Sequence, residues 1–163
     1  MRPTKTHNLQ QKLAQLGGGA HALATQILGN TDDAADAVQD AFTTVLSAPE
    51  SYDARKGPLR PWFMRDVRNR CLDMLRRRRH GDDSTELVRD HGPGPEQSLS
   101  KAQRSAVIRH AISLLPSDKR EIIVLRDYMD LSYAEIAKVL GIASGTVMSR
   151  LHRARLALKE ALE

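Results

Sequence analysis

The chain has 163 residues, which is enough for one domain of ordinary size or for two small ones. Hydrophobic residues make up 40% of the sequence and aromatic residues only 4%, a balance that suits small helical units packed by aliphatic side chains. The formal net charge of +5 and the isoelectric point of about 9.7 favour a polyanionic partner.

Several classes of protein are disfavoured by composition. Cys71 is the only cysteine, so a disulfide within the chain is excluded, and its place between Val67 and Leu75 predicts a buried thiol. The six histidines lack metal-ligand spacing, so we expect no metal site. We find neither a phosphate-binding glycine loop nor a catalytic constellation, so we expect no enzyme and no cofactor. No apolar run has the length of a signal peptide or a membrane span, which predicts a cytoplasmic protein without a membrane partner.

Apolar residues recur at helical spacing and no sustained period-2 run appears, so we predict an all-α fold. Residues 1–80 carry 13 Lys/Arg against 8 Asp/Glu, residues 81–103 carry 2 against 5, and residues 104–163 carry 10 against 7. The middle segment is polar, contains Gly-Pro-Gly-Pro and is too long for a structureless loop inside one compact domain. We therefore predict two small helical domains, an N-terminal helical bundle at 9–80 and a C-terminal four-helix domain at 104–163, joined by a flexible acidic linker at 81–103.

The first predicted helix runs from Leu9 to Leu28 and is interrupted by Gly17-Gly18-Gly19. Each glycine costs a helix about 1 kcal/mol relative to alanine. We therefore expect two helical pieces, or a weak first turn followed by a firm helix from Ala20.

Asn30 or Thr31 is expected to cap the second helix, which Pro49 ends. Its predicted core side consists of Ala34/Ala35, Val38, Phe42 and Val45/Leu46. Its predicted outer side carries polar residues at i, i+3, i+4 and i+7, namely Asp36, Gln39, Asp40 and Thr43. Such a stripe is most often a solvated helix face.

Residues 47–61 contain three prolines and a glycine and are predicted to form a loop, after which a helix runs from Pro61 to about Arg79. The expected buried side of this helix is Trp62, Val67, Cys71 and Leu75. The opposite stripe is polar and basic, with Arg65, Arg68, Asn69 and Arg76. Arginine near a helix C-terminus is favourable in any protein, but a track of guanidinium groups also matches phosphate oxygens.

Helices are predicted at 102–114 and 117–129, separated at Pro116, and they support two further short helices. Ser132 and Glu135 form a capping box at the start of the first short helix, and Gly141 is placed to end it. The second begins at Ser144 and has an apolar face formed by Val147, Leu151, Ala154 and Leu158. Its opposite face carries Thr146, Ser149, Arg150 and Arg153. This pattern predicts a helix-turn-helix whose second helix enters the DNA major groove, although a plain helical hairpin has the same spacing.

The amino-acid sequences of three segments resemble those of one protein family. The segment LSYAEIAKVLGIASGTVMSRLHRAR at 131–155 resembles the C-terminal DNA-reading domain of extracytoplasmic-function (ECF, group IV) sigma factors of bacterial RNA polymerase. DDAADAVQDAFTTVL at 32–46 resembles the helix of those factors that docks on the clamp coiled coil of the polymerase largest subunit. YDARKGPLRPWFMRDVRNRCLDMLRRRR at 52–79 resembles the loop and helix that open the −10 promoter element. The three segments occur in the family's order.

The resemblance implies a sigma factor that binds core RNA polymerase at the clamp coiled coil and at the flap of the second-largest subunit. It also implies that the factor binds promoter DNA, both double-stranded and melted, and that an anti-sigma factor controls it. The residues that match the core-binding motif are Asp36, Gln39, Asp40 and Phe42. Those that match the −10-reading segment are Tyr52, Arg65, Arg68, Asn69 and Arg76. Those that match the −35-reading helix are Thr146, Met148, Ser149, Arg150, His152 and Arg153.

The sequence departs from the family pattern at three places. The first helix is interrupted by glycines, Met148 stands where lysine or arginine is usual, and Asp66 stands where an apolar residue is common. Two other readings are open at this point: a stand-alone helix-turn-helix repressor or activator, and a sigma-like decoy that binds an anti-sigma factor. A stand-alone repressor or activator would leave the arginine-rich helix without a role. A decoy would have no need of side chains that contact phosphate, so it would not explain the dense arginines.

Overall fold

The structure, a computed structural model, describes residues 5–81 and 100–163. These residues form α-helices with two short 3₁₀ turns and one π-helical segment, and no strand occurs among them, which confirms the predicted all-α fold. The predicted linker lies outside the described residues from 82 to 99. The helices are α1 (Lys5–Leu28), α2 (Thr31–Ser47), α3 (Leu59–His80), α4 (Lys101–Ser113), α5 (Ser117–Ile123), α6 (Tyr133–Leu140) and α7 (Ser144–Leu162).

The helix α1 is continuous through its three glycines, so the predicted interruption is wrong. Leu13, before the glycines, is 1% exposed, and Ala20, after them, is fully buried, so the core holds both ends of the run. A Cβ on Gly17 would lie 3.6 Å from the ring of Phe42. Tertiary packing on both sides of the run therefore outweighs the low helix propensity of glycine.

The helices α1, α2 and α3 form the N-terminal bundle. Asn30 caps α2 by accepting hydrogen bonds from the main-chain N–H groups of Asp32 and Asp33, at 2.8 and 3.1 Å. The buried face of α2 includes Ala37, while Ala35 is exposed, contrary to the alternative that placed Ala35 in the core. The buried residues of α3 are Pro61, Phe63, Met64, Val67 and Cys71.

The helix α3 begins two residues before Pro61, within the predicted loop. That loop also contains two 3₁₀ turns, Pro49–Ser51 and Ala54–Lys56. Trp62 and Leu75, predicted on the buried side, are only half-buried, because Phe63 and Met64 point into the bundle instead.

The C-terminal unit consists of α4 to α7 with the π-helical segment Val124–Tyr128. A capping box between Ser100 and Gln103 starts α4, so the last residues of the predicted linker are helical. The predicted helix at 117–129 is α5 followed by the π-helical segment, in which the Met129 N–H donates to the Val124 carbonyl at 3.0 Å.

The two units pack against each other through α5, α6 and the π-helical segment on one side and α1 and α3 on the other. Their buried side chains belong to a single hydrophobic cluster. The inner face of α3 therefore lies between the bundle and the helix-turn-helix.

Candidate nucleic-acid interface

Three of the four predicted core-binding residues share the outer face of α2. Asp36, Gln39 and Asp40 are exposed there and together form an acidic, hydrogen-bonding stripe. Phe42 is half-buried and packs against Phe63, with 5.1 Å between ring centroids. Phe42 thus faces the bundle, as the core pattern of α2 also predicted, and does not share the acidic stripe.

The loop before α3 surrounds a cavity of about 160 Å³. Tyr52 lies in its wall, where its hydroxyl donates to the Gly57 carbonyl at 2.9 Å and its ring lies 5.1 Å from that of Trp62. Burial, and secondarily the nearby Asp53, raise the pKa of Tyr52, so its hydroxyl stays a neutral donor. The cavity is lined by Tyr52, Asp53, Lys56, Gly57, Pro58, Pro61, Trp62, Arg65 and Lys138.

Two backbone features fix the shape of this loop. Asp53 caps the second 3₁₀ turn by accepting from the Arg55 N–H at 3.0 Å, and the Arg55 side chain donates to the same carboxylate at 3.2 Å. These bonds lower the pKa of Asp53, so the cap is ionised near neutral pH. Gly57 has φ +151° and ψ 173°, a conformation that is essentially restricted to glycine.

The basic stripe of α3 divides into solvent-facing and engaged residues. Arg65, Asn69 and Arg76 are exposed, and Arg76 also pairs with Asp73 of the same helix, with 2.9 Å between Nη2 and Oδ1. Arg68 is not free: its Nε donates to Glu121 Oε2 of α5 at 2.7 Å. Arg78, at the C-terminal end of the track, pairs with Asp33 and so ties α3 to α2.

A local ion pair holds the side chain of Asp66. Its carboxylate accepts a hydrogen bond from Arg70 Nε at 2.9 Å, one helical turn further along α3. This pair keeps the acidic side chain at the surface of α3 and neutralises one arginine of the basic track.

The helix-turn-helix is built as its local sequence predicted. Ser132 and Glu135 form a reciprocal capping box, with both hydrogen bonds at 3.1 Å. Gly141 ends α6 in the left-handed conformation, with φ +68° and ψ 38°. Val147, Leu151 and Ala154 are buried and therefore orient α7 with its polar face outward.

All six predicted −35 residues lie on α7, but they differ in exposure. Ser149, His152 and Arg153 are exposed, while Thr146 and Arg150 are half-buried. Met148 is 59% exposed. The Ser149 hydroxyl donates to the Thr146 carbonyl at 3.1 Å, which leaves the hydroxyl oxygen able to accept a hydrogen bond.

A surface cleft brings α5 next to the basic face of α7. It is lined by Asp118, Lys119, Arg150 and Arg153 and has a volume of about 430 Å³. Lys119 adds a third cation to the two arginines, a contribution that the sequence analysis missed because Lys119 lies in another helix. The cleft can accept an anionic group such as a phosphate.

Sequence reasoning also missed Trp62, which lines the loop cavity, and Lys138 and Glu121, which approach α3 from the C-terminal unit. No pattern within a single helix identifies Lys138 and Glu121, because each acts across a contact between distant segments. Within residues 5–81 and 100–163, no group of three or more His, Cys, Asp or Glu side chains could hold a metal ion. In the same ranges, no helix is both long and apolar enough to cross a membrane.

Comparison with protein families gives two matches that follow the two structural units. Residues 14–81 match the family described as Sigma-70 region 2, and residues 97–158 match the family described as Sigma-70, region 4. The first match covers the bundle that carries the α2 stripe and the α3 track. The second covers the helix-turn-helix.

The similar proteins compared next are all named as RNA polymerase sigma factors. The chain is 35% identical over 147 residues to the ECF RNA polymerase sigma factor SigE of Mycolicibacterium smegmatis, covering 87% of this chain and 56% of that protein. It is 34% identical to the RNA polymerase sigma factor NccH of Alcaligenes xylosoxydans xylosoxydans, covering 93% and 86%. It is 30% identical to the ECF RNA polymerase sigma factor SigW of Bacillus subtilis, covering 87% and 82%.

Two solved structures resemble the whole fold. The sigma factor RpoE from Bartonella quintana, in complex with the anti-sigma factor NepR, superposes with a TM-score of 0.76 at 29% identity, covering 95% of this chain and 96% of that one. CnrH in complex with the cytosolic domain of CnrY superposes with a TM-score of 0.66 at 27% identity, covering 93% and 85%.

Proposed function

The chain belongs to the extracytoplasmic-function sigma factors of bacterial RNA polymerase, and from that membership we propose how its surfaces divide the work of promoter recognition. It is the specificity subunit that joins core polymerase, reads two promoter elements and promotes strand opening. The observation that carries this proposal is the order of three exposed surfaces along one chain: an acidic stripe on α2, a basic track with a cavity at α3, and a basic face on α7.

The stripe of Asp36, Gln39 and Asp40 is the proposed contact with the clamp coiled coil of the polymerase largest subunit. Its exposure and its carboxylates suit a surface rich in arginine and lysine. Phe42 supports this contact indirectly, because its ring packs on Phe63 and so holds the orientation of the α2 face that carries the stripe.

The cavity beside Tyr52 and the exposed side chains of Arg65, Asn69 and Arg76 form the proposed −10 site. Unstacking a base costs a few kcal/mol, and a shaped pocket next to a cationic track can offset that cost. Tyr52 shapes the pocket through its bond to Gly57, and Trp62 supplies a second aromatic surface. Arg68 joins the track when it separates from Glu121.

The exposed face of α7 is the proposed −35 reader. Arg150 and Arg153 are the candidates for base-edge contacts, and Ser149, Thr146 and His152 are hydrogen-bonding neighbours on the same helix. Lys119 in the adjoining cleft is a candidate phosphate contact that positions α7 in the groove.

The remaining partners follow from the family. We propose that the flap of the second-largest polymerase subunit holds the C-terminal unit. We also propose that an anti-sigma factor controls the chain, since the similar sigma factor RpoE was solved in complex with the anti-sigma factor NepR. The protein works in the cytoplasm, where polymerase is found, and catalyses no reaction itself.

In vitro transcription tests the proposal. Purified protein is added to bacterial core polymerase and a library of promoter fragments, and the transcript starts are sequenced. We expect starts that require the protein and share two spaced elements. Absence of starts, together with binding to a palindromic site without polymerase, would instead indicate a stand-alone repressor; absence of starts with a stable anti-sigma complex would indicate a decoy.

A further inference from the structure

A cavity of about 670 Å³ lies between α1 and the C-terminal unit. Its lining comes from α1, α4, α5, α7 and the π-helical segment. Its size falls within the range of sites that bind small molecules, about 300–1,000 Å³. None of the residues proposed above to contact polymerase or promoter DNA lines it, so the proposed function leaves this cavity without a role.

Much of the lining is aliphatic. The apolar side chains come from five elements that are distant along the chain: Ala22, Ile108, Ile112, Ile123, Val124 and Leu158. Ile108 is 45% exposed, so part of this surface is in contact with water. Covering such a surface with an alkyl chain is favourable, because apolar area on both sides is removed from water. The cavity therefore suits a ligand with a hydrocarbon chain.

The charged groups of the lining favour an anion. Asp127 lines the cavity, but its charge is compensated by Arg155, with 2.5 Å between Arg155 Nη2 and Asp127 Oδ1. Arg109 is exposed and has no carboxylate partner in the part of the chain that the structure describes. A guanidinium binds a carboxylate through two parallel hydrogen bonds. A carboxylate head group is thus the charged group that this lining accommodates.

Two further features of the cavity point to a ligand. The hydroxyl oxygen of Thr25 is buried in the α1 wall and has no hydrogen-bond partner among the described residues, whereas buried polar atoms normally have one. An oxygen of a bound head group supplies that partner once the side chain rotates towards the cavity. The π-helical segment Val124–Tyr128 also contributes to the lining, and π turns next to α-helices occur frequently at functional sites.

We propose that this cavity binds a free medium-chain fatty acid, with its alkyl chain on the aliphatic lining and its carboxylate on Arg109. The inference does not depend on the promoter-reading roles proposed for α3 and α7. The ligand contacts both α1 and the C-terminal unit, so it binds the folded chain and stabilises it against unfolding as its concentration rises.

The experiment titrates the full chain, carrying carbon-13 in its isoleucine δ-methyl groups, with octanoate below the concentration at which micelles form. Ile108, Ile112 and Ile123 line the cavity, while Ile136 and Ile142 of the helix-turn-helix do not and serve as internal controls. We expect saturable shifts of the first three methyl signals and no comparable shifts of the other two. Replacing hexanoate with octanoate, and octanoate with decanoate, should raise the affinity by about fourfold per added methylene, which corresponds to ~0.8 kcal/mol for each buried CH₂ group.

Two substitutions test the two parts of the site. Ala22→Phe places a ring in the cavity and should abolish saturable binding, whereas Ala35→Phe, at an exposed position of α2, should retain it. Arg109→Gln should weaken octanoate binding by about tenfold or more, the scale of a lost hydrogen bond to a charged group, and remove the preference for octanoate over 1-octanol. Arg104→Gln removes an exposed cation of the same helix that does not line the cavity, and it should do neither.

Equal affinities for octanoate and 1-octanol, unchanged by Arg109→Gln, would overturn the proposed ligand class. Absence of saturable shifts at every chain length, or equal shifts of the cavity and helix-turn-helix isoleucines, would overturn the inference as a whole. The cavity would then be left to the apolar side chains of a protein partner. Neither result would alter the outcome of the transcription experiment.

Discussion

Arg120 of α5 donates two hydrogen bonds to the main-chain carbonyl of Gln26 in α1, from Nε at 2.9 Å and from Nη2 at 2.7 Å. Its third donor, Nη1, reaches the Leu115 carbonyl of its own unit at 2.7 Å. One guanidinium therefore joins the last turn of α1 to the start of α5. The carbonyls it satisfies lie at the ends of helices, where main-chain acceptors lack partners within the helix.

Replacing Arg120 with alanine should destabilise the packed arrangement. Two half-buried carbonyls would lose charged donors, at a cost of about 1–3 kcal/mol in the free energy of unfolding. Urea denaturation followed by circular dichroism measures this change. Arg104→Ala, an exposed substitution in α4, is the control and should cost little. An Arg120→Ala variant as stable as the wild type would mean that water replaces these bonds without loss.

The buried thiol of Cys71 leads us to expect that the free energy of unfolding falls at alkaline pH. Burial, with a further contribution from Glu121, raises the pKa of its thiol to about 12. In the unfolded chain the pKa of a cysteine thiol is ~8.5. Because the folded pKa is the higher one, the stabilisation is complete below the unfolded pKa and is lost as pH rises from there towards about 12.

The difference in stability between the wild type and Cys71→Ala isolates this effect, because the other titrating groups are common to both. At one pH unit above the unfolded pKa, the wild type should have lost about 1.4 kcal/mol relative to the variant. If the free energies of unfolding of the wild type and of Cys71→Ala instead change in parallel from neutral pH to one unit above the unfolded pKa, the thiol ionises freely in the folded protein.

The acidic stripe of α2 predicts a specific loss of polymerase binding. Asp36→Ala combined with Gln39→Ala should weaken the affinity for core polymerase, since a charge-complementary contact and a hydrogen bond are both removed. Both positions are exposed, so the fold should be unchanged. The control, Gln10→Ala with Glu160→Ala, removes the same kinds of side chain from exposed positions outside α2. Equal affinities of the two double variants for core polymerase would reject the stripe as the docking surface.

The loop cavity predicts an effect at Gly57. Alanine at φ +151° is strained by about 1–3 kcal/mol, so the loop should leave the conformation that Tyr52 holds through its hydroxyl. We expect Gly57→Ala to reduce strand opening, measured by 2-aminopurine fluorescence in the −10 element, while duplex binding at the −35 element is retained. Gly18→Ala is a suitable control, because a Cβ there enters open space. Normal opening by Gly57→Ala would remove the cavity from the mechanism.

The helix-turn-helix was predictable because its signals are local. A capping box at Ser132 and Glu135, a left-handed glycine at Gly141 and an apolar period on α7 each act within a few residues, and all three are present in the structure. The same is true of the Asn30 cap and the exposed stripe of α2. These features hardly depend on what packs against them.

The continuity of α1 and the engagement of Arg68 could not be predicted in this way. Helix propensity predicted a break at the glycines, but the buried Leu13 and Ala20 on either side of them hold the helix in the core. Arg68 and Glu121 are 53 residues apart, and each looks like an ordinary surface charge in its own helix. The contact exists only because the two units pack together, which a pattern along the chain does not encode.

Met148 gives the last prediction, because it is an exposed apolar residue on a basic helix. It is 59% exposed and lies next to the buried Val147, at the edge of the face that carries Arg150 and Ser149. A lysine there would bring a cation within reach of the DNA backbone without disturbing the core. We therefore expect Met148→Lys to raise affinity for duplex DNA similarly on all sequences. We also expect the slope of log affinity against log salt concentration to become steeper by about one. Gel shifts at several salt concentrations, on the promoter found by transcription and on a scrambled duplex, measure both. A loss confined to the promoter would mean instead that Met148 makes an apolar contact with a base, such as a thymine methyl group, and reads sequence itself.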